Sequence, residues 1–355
     1  MNPKHILISR TDSIGDVVLT LPLTGLLRKK FPDSKISFLG MPYTEEIIKS
    51  CVHIDQFYDW SKIKVLEEHD SVKALKAMQV DTIIHVFPRK EIVKLACKAG
   101  VPNRLGTTGR TYNWLYCNML VPLSRRNSTL HEAQLNIRLA QRVHGYEVPP
   151  TKEISQLYGF NVSMSPEDPL HGYFSSDFYN IILHPRSKGS AREWGLTNYA
   201  GLAAKLVKNK PQTGSFVEGK PCRVFITGTA DEGEMLRNEG LFENAGEVID
   251  VTGKFNLHQF IRFISLADAI VAGSTGPLHI AAALGRTAIG LYPPIKPMHP
   301  GRWAPIGENA SWIVANKECN DCRKTGNCTC MKLITIDQVQ QKLNEMLISD
   351  TTQIF

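Results

Sequence analysis

The sequence predicts an α/β protein of two doubly wound domains that face each other across a cleft. Three observations predict it. Apolar runs of strand length alternate with helix-length amphipathic segments from His5 to Leu291, as in parallel sheets covered on both faces. The alternation restarts after a stretch holding Pro149, Pro150, Pro166, Pro169 and Gly172. The length, 355 residues, suits two domains.

The first half opens with His5–Ser9, an apolar run that reads as a buried parallel strand. Arg10–Asp16 follows as a turn. An apolar stretch through Leu19, Leu23, Leu26 and Leu27 then reads as a helix ending near Phe31–Pro32. Pro22 is awkward inside a helix begun at Asp16. A start near Thr20 resolves this and leaves Asp16 just ahead, on exposed backbone. Arg28, Lys29 and Lys30 close the helix, where cations suit its dipole. Strands follow at Ser34–Leu39, Gln56–Tyr58 and Asp81–Phe87. Helices are expected at Thr44–Ser50, Val65–Met78, Arg89–Ala99 and Leu130–His144, with 103–128 irregular.

The second half repeats the pattern. Strand Tyr179–His184 leads into a polar, basic loop, Pro185–Trp194, and a helix capped by Thr197. After the loop Pro211–Pro221 come strand Cys222–Thr227, helix Asp231–Gly240, strand Glu247–Val251 and helix Leu257–Leu266. The run Ala269–Ala272 then ends at a tight turn. Pro277 opens a helix that stops at Gly285, and Thr287–Leu291 is a further strand. Thr335 and Gln338 form a capping box for a last helix with Val339, Leu343 and Met346 on its apolar face. The expected division is 1–160, a connection at 161–178, 179–334, and a helix at 335–355.

Composition narrows the function. The chain is 43% hydrophobic and 21% charged, as globular proteins are. Its net charge of +7 is modest and lacks the concentration of a nucleic-acid binder, so no nucleic-acid partner is expected. A basic balance suits an anionic substrate or an acidic membrane surface. No apolar run reaches 18 residues and the N-terminus lacks signal-peptide features, so the expectation is cytoplasmic. Cys51, Cys97, Cys117 and Cys222 are scattered and read as buried thiols. Cys319, Cys322, Cys328 and Cys330 form C-x2-C-x5-C-x-C; zinc there is an alternative to a reduced, metal-free loop, and the spacing does not favour it.

Ligands of doubly wound sheets sit at the carboxyl ends of strands. That rule gathers Arg10–Asp16, Arg186–Trp194, Gly228–Glu234 and Gly273–His279 into one region. No dinucleotide fingerprint, P-loop, nucleophile elbow or kinase signature is present. Each candidate carries two readings. Asp16 is a general base or a helix N-cap. Ser187, Lys188, Ser190 and Arg192 hold a diphosphate or form a solvated loop. Glu232, beyond Thr227 and Gly228, grips a ribose or supplies first-turn charge. His279 donates to phosphate or is structural. The turn at Ser274, Thr275 and Gly276 is a phosphate site or an ordinary β–α turn.

Taken together these stretches resemble glycosyltransferase family 9, the ADP-heptose:lipopolysaccharide heptosyltransferases. The resemblance runs from Ile6-Leu7-Ile8-Ser9-Arg10-Thr11-Asp12-Ser13-Ile14-Gly15-Asp16 with Leu21-Pro22, through His184-Pro185, Arg192-Glu193-Trp194, Ile226-Thr227-Gly228, Glu232 and Asp250-Val251-Thr252-Gly253. It ends in Ser274-Thr275-Gly276-Pro277-Leu278-His279 and Leu291-Tyr292-Pro293-Pro294. It implies a GT-B fold, with an N-terminal acceptor domain and a C-terminal nucleotide-sugar domain. It implies inverting heptose transfer from ADP-heptose to lipid A–Kdo or core oligosaccharide, with no metal or other cofactor required, and peripheral contact with the inner membrane. Asp16 becomes the base, with Arg10, Ser13 and Gly15 on the acceptor side. Ser187, Lys188, Arg192, Ser274, Thr275, Gly276, Pro277, Leu278 and His279 surround the donor diphosphate. Thr227, Gly228 and Glu232 take the ribose and base. The family usually has Asp-Ser-Gly-Pro-Met-His where this chain has Ser274 to His279, and the lost acid bears on the donor sugar. The alternatives are a transferase with another donor or acceptor, a non-catalytic nucleotide-binding relative, and a nucleotide-sugar epimerase.

Overall fold

In the computed structural model each half of the chain builds its own parallel sheet. The structure describes residues 2–189, 191–208, 220–296, 298–316 and 329–351, with 349–351 given by backbone alone. Ser190, most of the loop Pro211–Pro221, and Cys319, Cys322 and Cys328 lie outside the described residues. Contacts divide the chain into two units, residues 1–161 and 162–355.

The first unit holds strands β1 (His5–Ser9), β2 (Lys35–Gly40), β3 (Gln56–Asp59), β4 (Thr82–His85), β5 (Asn103–Thr107) and β6 (Met119–Val121). They are parallel, in the order β3-β2-β1-β4-β5-β6. Its helices are α1 (Ile14–Val18), α2 (Leu21–Lys30), α3 (Glu45–Lys49), α4 (Trp60–Lys64), α5 (Glu68–Ala77), α6 (Lys90–Lys98), α7 (Thr111–Tyr116), α8 (Glu132–Leu139), α9 (Gln141–His144) and α10 (Thr151–Ile154). The central strands β1 and β4 are buried at every position, which is why they read as continuous rather than alternating apolar runs. The strand order reverses between them, so the loops after β1 and β4 emerge side by side.

Several expectations are corrected here. Helix has already formed at Ile14, so Asp16 lies within α1 and not on exposed backbone ahead of it. The chain then breaks at Leu19–Thr20, and α2 starts with Pro22 in its first turn, where a missing N–H costs nothing. Residues 103–128 are not irregular; β5, α7 and β6 lie there. The single helices expected at Val65–Met78 and Leu130–His144 are α5 preceded by α4, and the pair α8–α9 broken at Ala140. Gly25 of α2 has a packing role: a Cβ there would stand 2.3 Å from the Leu157 carbonyl oxygen. Its absence lets the 3₁₀ turn Ser155–Leu157 lie on α2, and the chain then pairs Phe160 with Cys51.

The second unit repeats the order with β7 (Tyr179–His184), β8 (Cys222–Ile226), β9 (Ile249–Asp250), β10 (Ala269–Gly273), β11 (Thr287–Tyr292) and β12 (Ala310–Val314), arranged β12-β11-β10-β7-β8-β9. Its helices are α11 (Leu196–Lys208), α12 (Ala230–Asn238), α13 (Leu241–Asn244), α14 (Leu257–Leu266), α15 (Gly276–Ala283), α16 (Pro300–Trp303) and α17 (Ile336–Thr351). The reversal falls between β10 and β7. Thr197 lies inside α11 and does not cap it; Gly195, at φ +101°, makes the entry turn. Residues 162–178 lie with this unit, where Tyr173 and Phe174 pack against Phe255, Phe225 and Phe263. The Thr335–Gln338 capping box opens α17, whose Val339 and Leu343 are buried. Among the described residues no helix is long and apolar enough to cross a membrane.

Candidate active site

In the first unit the site is built on the loop after β1. Asp16 projects from α1 with its side chain 19% exposed. One carboxylate oxygen accepts from the Arg10 guanidinium and the other from the Ser13 hydroxyl. A carboxylate offers about four lone-pair positions, so two bonds leave room for an incoming hydroxyl. Gly15 is buried beneath. Arg10, expected on the acceptor side, has a side chain only 3% exposed and committed to the protein. Nε and Nη2 take Asp12 at 2.8 and 3.1 Å, a bidentate pair. Nη1 reaches Thr20 Oγ1, Glu132 Oε1 and Asn136 Oδ1 at 3.2–3.3 Å. Burial alone lowers an arginine pKa, but Asp12, Asp16 and Glu132 more than reverse it, and Arg10 is held above its ordinary value. Burial raises the Asp12 carboxyl, against the pull of Arg10. Arg89, just past β4, donates to the Thr11 hydroxyl and carbonyl and ties the two loops together.

In the second unit the loops after β7 and β10 meet at the reversal of strand order. A Cβ on Gly273 would stand 3.2 Å from Ala191 Cβ and 3.6 Å from the Arg192 carbonyl, so the Arg192 segment lies against the Gly273 turn. The Tyr199 phenol of α11 hydrogen-bonds the Gly273 backbone. Thr275 is the N-cap of α15, yet its hydroxyl makes no capping bond. It is 6% exposed, and Oγ1 has no partner among the described residues. The first-turn N–H groups of Gly276 and Leu278 have no acceptor within the helix. Pro277 carries no N–H, and the Thr275 N–H is taken by the Gly273 carbonyl at 2.7 Å. Ser274 is half-buried and lies near the Tyr292 phenol, which donates to the Trp303 carbonyl. His279 is buried, and the Leu278 side chain packs inward toward Gly290.

The other donor-side residues separate. Lys188 is exposed and Arg192 half-buried. The Ser187 hydroxyl donates to the Ala191 carbonyl, and its N–H to Glu193, shaping the loop. The Thr227 hydroxyl is buried between His184 Nδ1 and the Leu183 carbonyl. Glu232 realises its helix-start reading, with Oε2 accepting the Thr229 N–H at 2.7 Å while Thr229 caps α12. That carboxylate still borders Gly228, where a Cβ would lie 3.3 Å from Oε2. Cys51, Cys117 and Cys222 are buried free thiols, Cys97 is half-buried, and Cys330 is buried.

Sequence reasoning missed Glu132, Asn136 and Arg125, which surround Arg10. The only signal was a charged and an amide residue four apart, in line with Leu139 and Val143 on one helical face.

A model of glycosyltransferase family 9 (heptosyltransferase) matches residues 72–332. The chain belongs to glycosyltransferase family 9. It is therefore a glycosyltransferase, and its relatives agree. A Haemophilus influenzae protein named no more specifically than as a glycosyltransferase is 28% identical over 351 residues, 96% of each chain. The Escherichia coli lipopolysaccharide heptosyltransferase 2 is 23% identical across 82% of this chain and 83% of its own. Among solved structures, E. coli ADP-heptose LPS heptosyltransferase II superposes with a TM-score of 0.73 at 19% identity, covering 98% and 99% of the two chains. A Veillonella parvula family 9 transferase superposes at 0.77 with 18% identity, covering 98% and 97%. These likenesses give the family 9 chain its GT-B fold class, with two six-stranded parallel sheets.

Proposed function

We propose that this family 9 transferase moves heptose from ADP-heptose to the anionic inner core of lipopolysaccharide, lipid A–Kdo or a core oligosaccharide, with inversion and without a metal. The second unit is the donor unit and the first the acceptor unit. Asp16 takes the proton from the acceptor hydroxyl as that hydroxyl attacks the anomeric carbon, and ADP leaves from the opposite face. Arg192, Lys188 and the first-turn N–H groups of α15 bear the charge that grows on the leaving diphosphate. Glu232 borders the ribose. A glycolipid acceptor implies work at the cytoplasmic face of the inner membrane.

The observation that carries the reading is the Thr275 hydroxyl, buried at the N-terminus of α15 without a partner among the described residues. A buried polar atom left unpaired is costly, and a phosphate oxygen would pair it. ADP as the nucleotide is supported by E. coli heptosyltransferase WaaC, a fold neighbour at 19% identity solved with ADP and with ADP-2-deoxy-2-fluoro heptose. One observation favours a second reading, transfer of another sugar: the hydroxyl residue Ser274 stands where the family's acid is expected.

Calorimetry against ADP, UDP, GDP and CMP tests the donor. Selective binding of ADP, followed by turnover of ADP-heptose that survives EDTA, is the expected result. Selectivity for UDP or GDP moves the assignment to the second reading.

A further inference from the structure

We infer that Glu132 and Asn136 of α8 are positioning residues for the transfer, fixing the Arg10 guanidinium and, through it, the Asp16 carboxylate. This rests on the reading of Asp16 as the base.

Asp16 stands on a five-residue helix whose N-cap, Ser13, makes no capping bond. So short a helix does not hold its own orientation. The carboxylate is fixed from outside, by Ser13 and by Arg10. Arg10 in turn ends a long, rotatable side chain, and the Nε–Nη2 edge of its guanidinium meets Asp12 as well as Asp16. The opposite nitrogen, Nη1, is set from α8, more than 120 residues along the chain. It donates to Glu132 Oε1 and Asn136 Oδ1, each at 3.2 Å.

Asn136 acts at a second point. Its amide nitrogen donates to the Leu19 carbonyl at 3.1 Å and to Thr20 Oγ1 at 3.2 Å, at the break between α1 and α2. Thr20 itself donates to the Asp16 carbonyl at 2.8 Å. One side chain therefore bonds both the arginine that grips Asp16 and the backbone that carries it. Arg125 keeps the bracket in place, with Nε 3.0 Å from Glu132 Oε1 and Nη2 2.9 Å from Asn136 Oδ1. Glu132 is 1% exposed, so it works through Arg10 and does not touch an acceptor. The arrangement is a preorganised support shell behind an exposed reacting group, in which a displacement of about 1 Å costs up to about 100-fold in rate.

The test is steady-state kinetics of the full chain with ADP-heptose and Kdo-bearing lipid A. The variants are Glu132→Gln, Asn136→Ala, Asp16→Asn and the Asp16→Asn/Glu132→Gln pair. Glu132→Gln and Asn136→Ala should each lower kcat by about 10–100-fold. The KM for ADP-heptose should stay within about two-fold, as expected when a group acts only in the transition state. In the Asp16→Asn background Glu132→Gln should cause no further loss, because the group it positions is gone. Wild-type kcat in Glu132→Gln, or a further loss of the same size in the double variant, overturns the inference. Wild-type turnover in Asp16→Asn alone removes the base reading and the inference with it, and only that single variant reports it. A second measurement needs no turnover. Melting midpoints of the same four-member cycle should be non-additive, because Asp16 and Glu132 share one guanidinium. Additive shifts overturn the inference whatever the substrate proves to be.

Discussion

The two units thread six parallel strands in the same order and put their candidate groups at the same place, the loops flanking the reversal. Their chemistry there is opposite. In the first unit the loop after β1 is saturated: Arg10 alone satisfies two aspartates, a glutamate, an amide and a hydroxyl. In the second, the start of α15 is neutral, and the Thr275 hydroxyl is buried without a partner among the described residues. Formal charge divides the same way. The first 161 residues carry 22 Lys and Arg against 15 Asp and Glu, and the remaining residues carry 19 against 19. The whole excess of +7 sits in the unit proposed to take an anionic acceptor. One topology thus serves two proposed tasks: a braced carboxylate that is aimed, and a turn whose hydroxyl and N–H groups can meet an anion.

The largest test of that contrast is Asp16→Asn. It should lower turnover by about 10²–10⁴-fold while ADP binding, proposed for the other unit, stays unchanged. Arg192→Ala is the mirror experiment. It should cost about 10²–10³-fold in kcat, with Asp16 and its bracket untouched. Loss of ADP binding in Asp16→Asn, or unchanged turnover in Arg192→Ala, would break the division of labour.

The third prediction uses two buried histidines, each the last residue of a strand beside its unit's reversal. Burial lowers the His184 pKa to about 4, against an opposing pull from Glu232. Burial, then Arg104, lowers His85 to about 3. Both are neutral in the fold, whereas the unfolded chain takes up protons near 6.5. Their contribution is therefore complete above pH 6.5 and lost as the pH falls towards 4 for His184 and 3 for His85, by up to about 3 kcal/mol for His184. Chemical denaturation between pH 7 and 5 should show the loss, and His184→Gln should flatten its share. The smallest effect is at Thr275→Val, where two readouts should move in opposite directions. Removing an unpaired buried hydroxyl should stabilise the unliganded protein by about 1 kcal/mol, and ADP affinity should fall roughly 3–10-fold. Parallel changes would mean that the hydroxyl does not meet the nucleotide.

Much of this was legible because the central strands are continuous apolar runs. Leu257–Leu266 and Tyr179–His184 fall where periodicity places them. The misses are at the edges or next to them. Asn103-Arg-Leu-Gly-Thr, beside the edge, and the three-residue edge strand β6 carry too few apolar side chains to read as strands, and β12 is likewise an edge strand. Local chemistry placed Asp16 and Thr275 after their strands. It could not see the bracket, because Glu132 and Asn136 meet Arg10 only through the tertiary fold. Glu232 and Thr227 read as ligand groups, and both have partners inside the protein, Glu232 at the cap of its own helix and Thr227 against His184 of the neighbouring strand β7.

The close approach at Gly25 sets a schedule for synthesis. Helix α2 is made early, but the surface around Gly25 is covered by Leu157, and Cys51 is paired by Phe160. The first unit therefore cannot complete its core while the chain is still growing through its first 150 residues. At about 5–20 residues per second that interval is roughly 10–30 s, during which α2 needs shelter from water by some other means. A nascent chain stalled before Leu157 leaves the tunnel should stay protease-sensitive throughout this unit, and one stalled well beyond Asn161 should not.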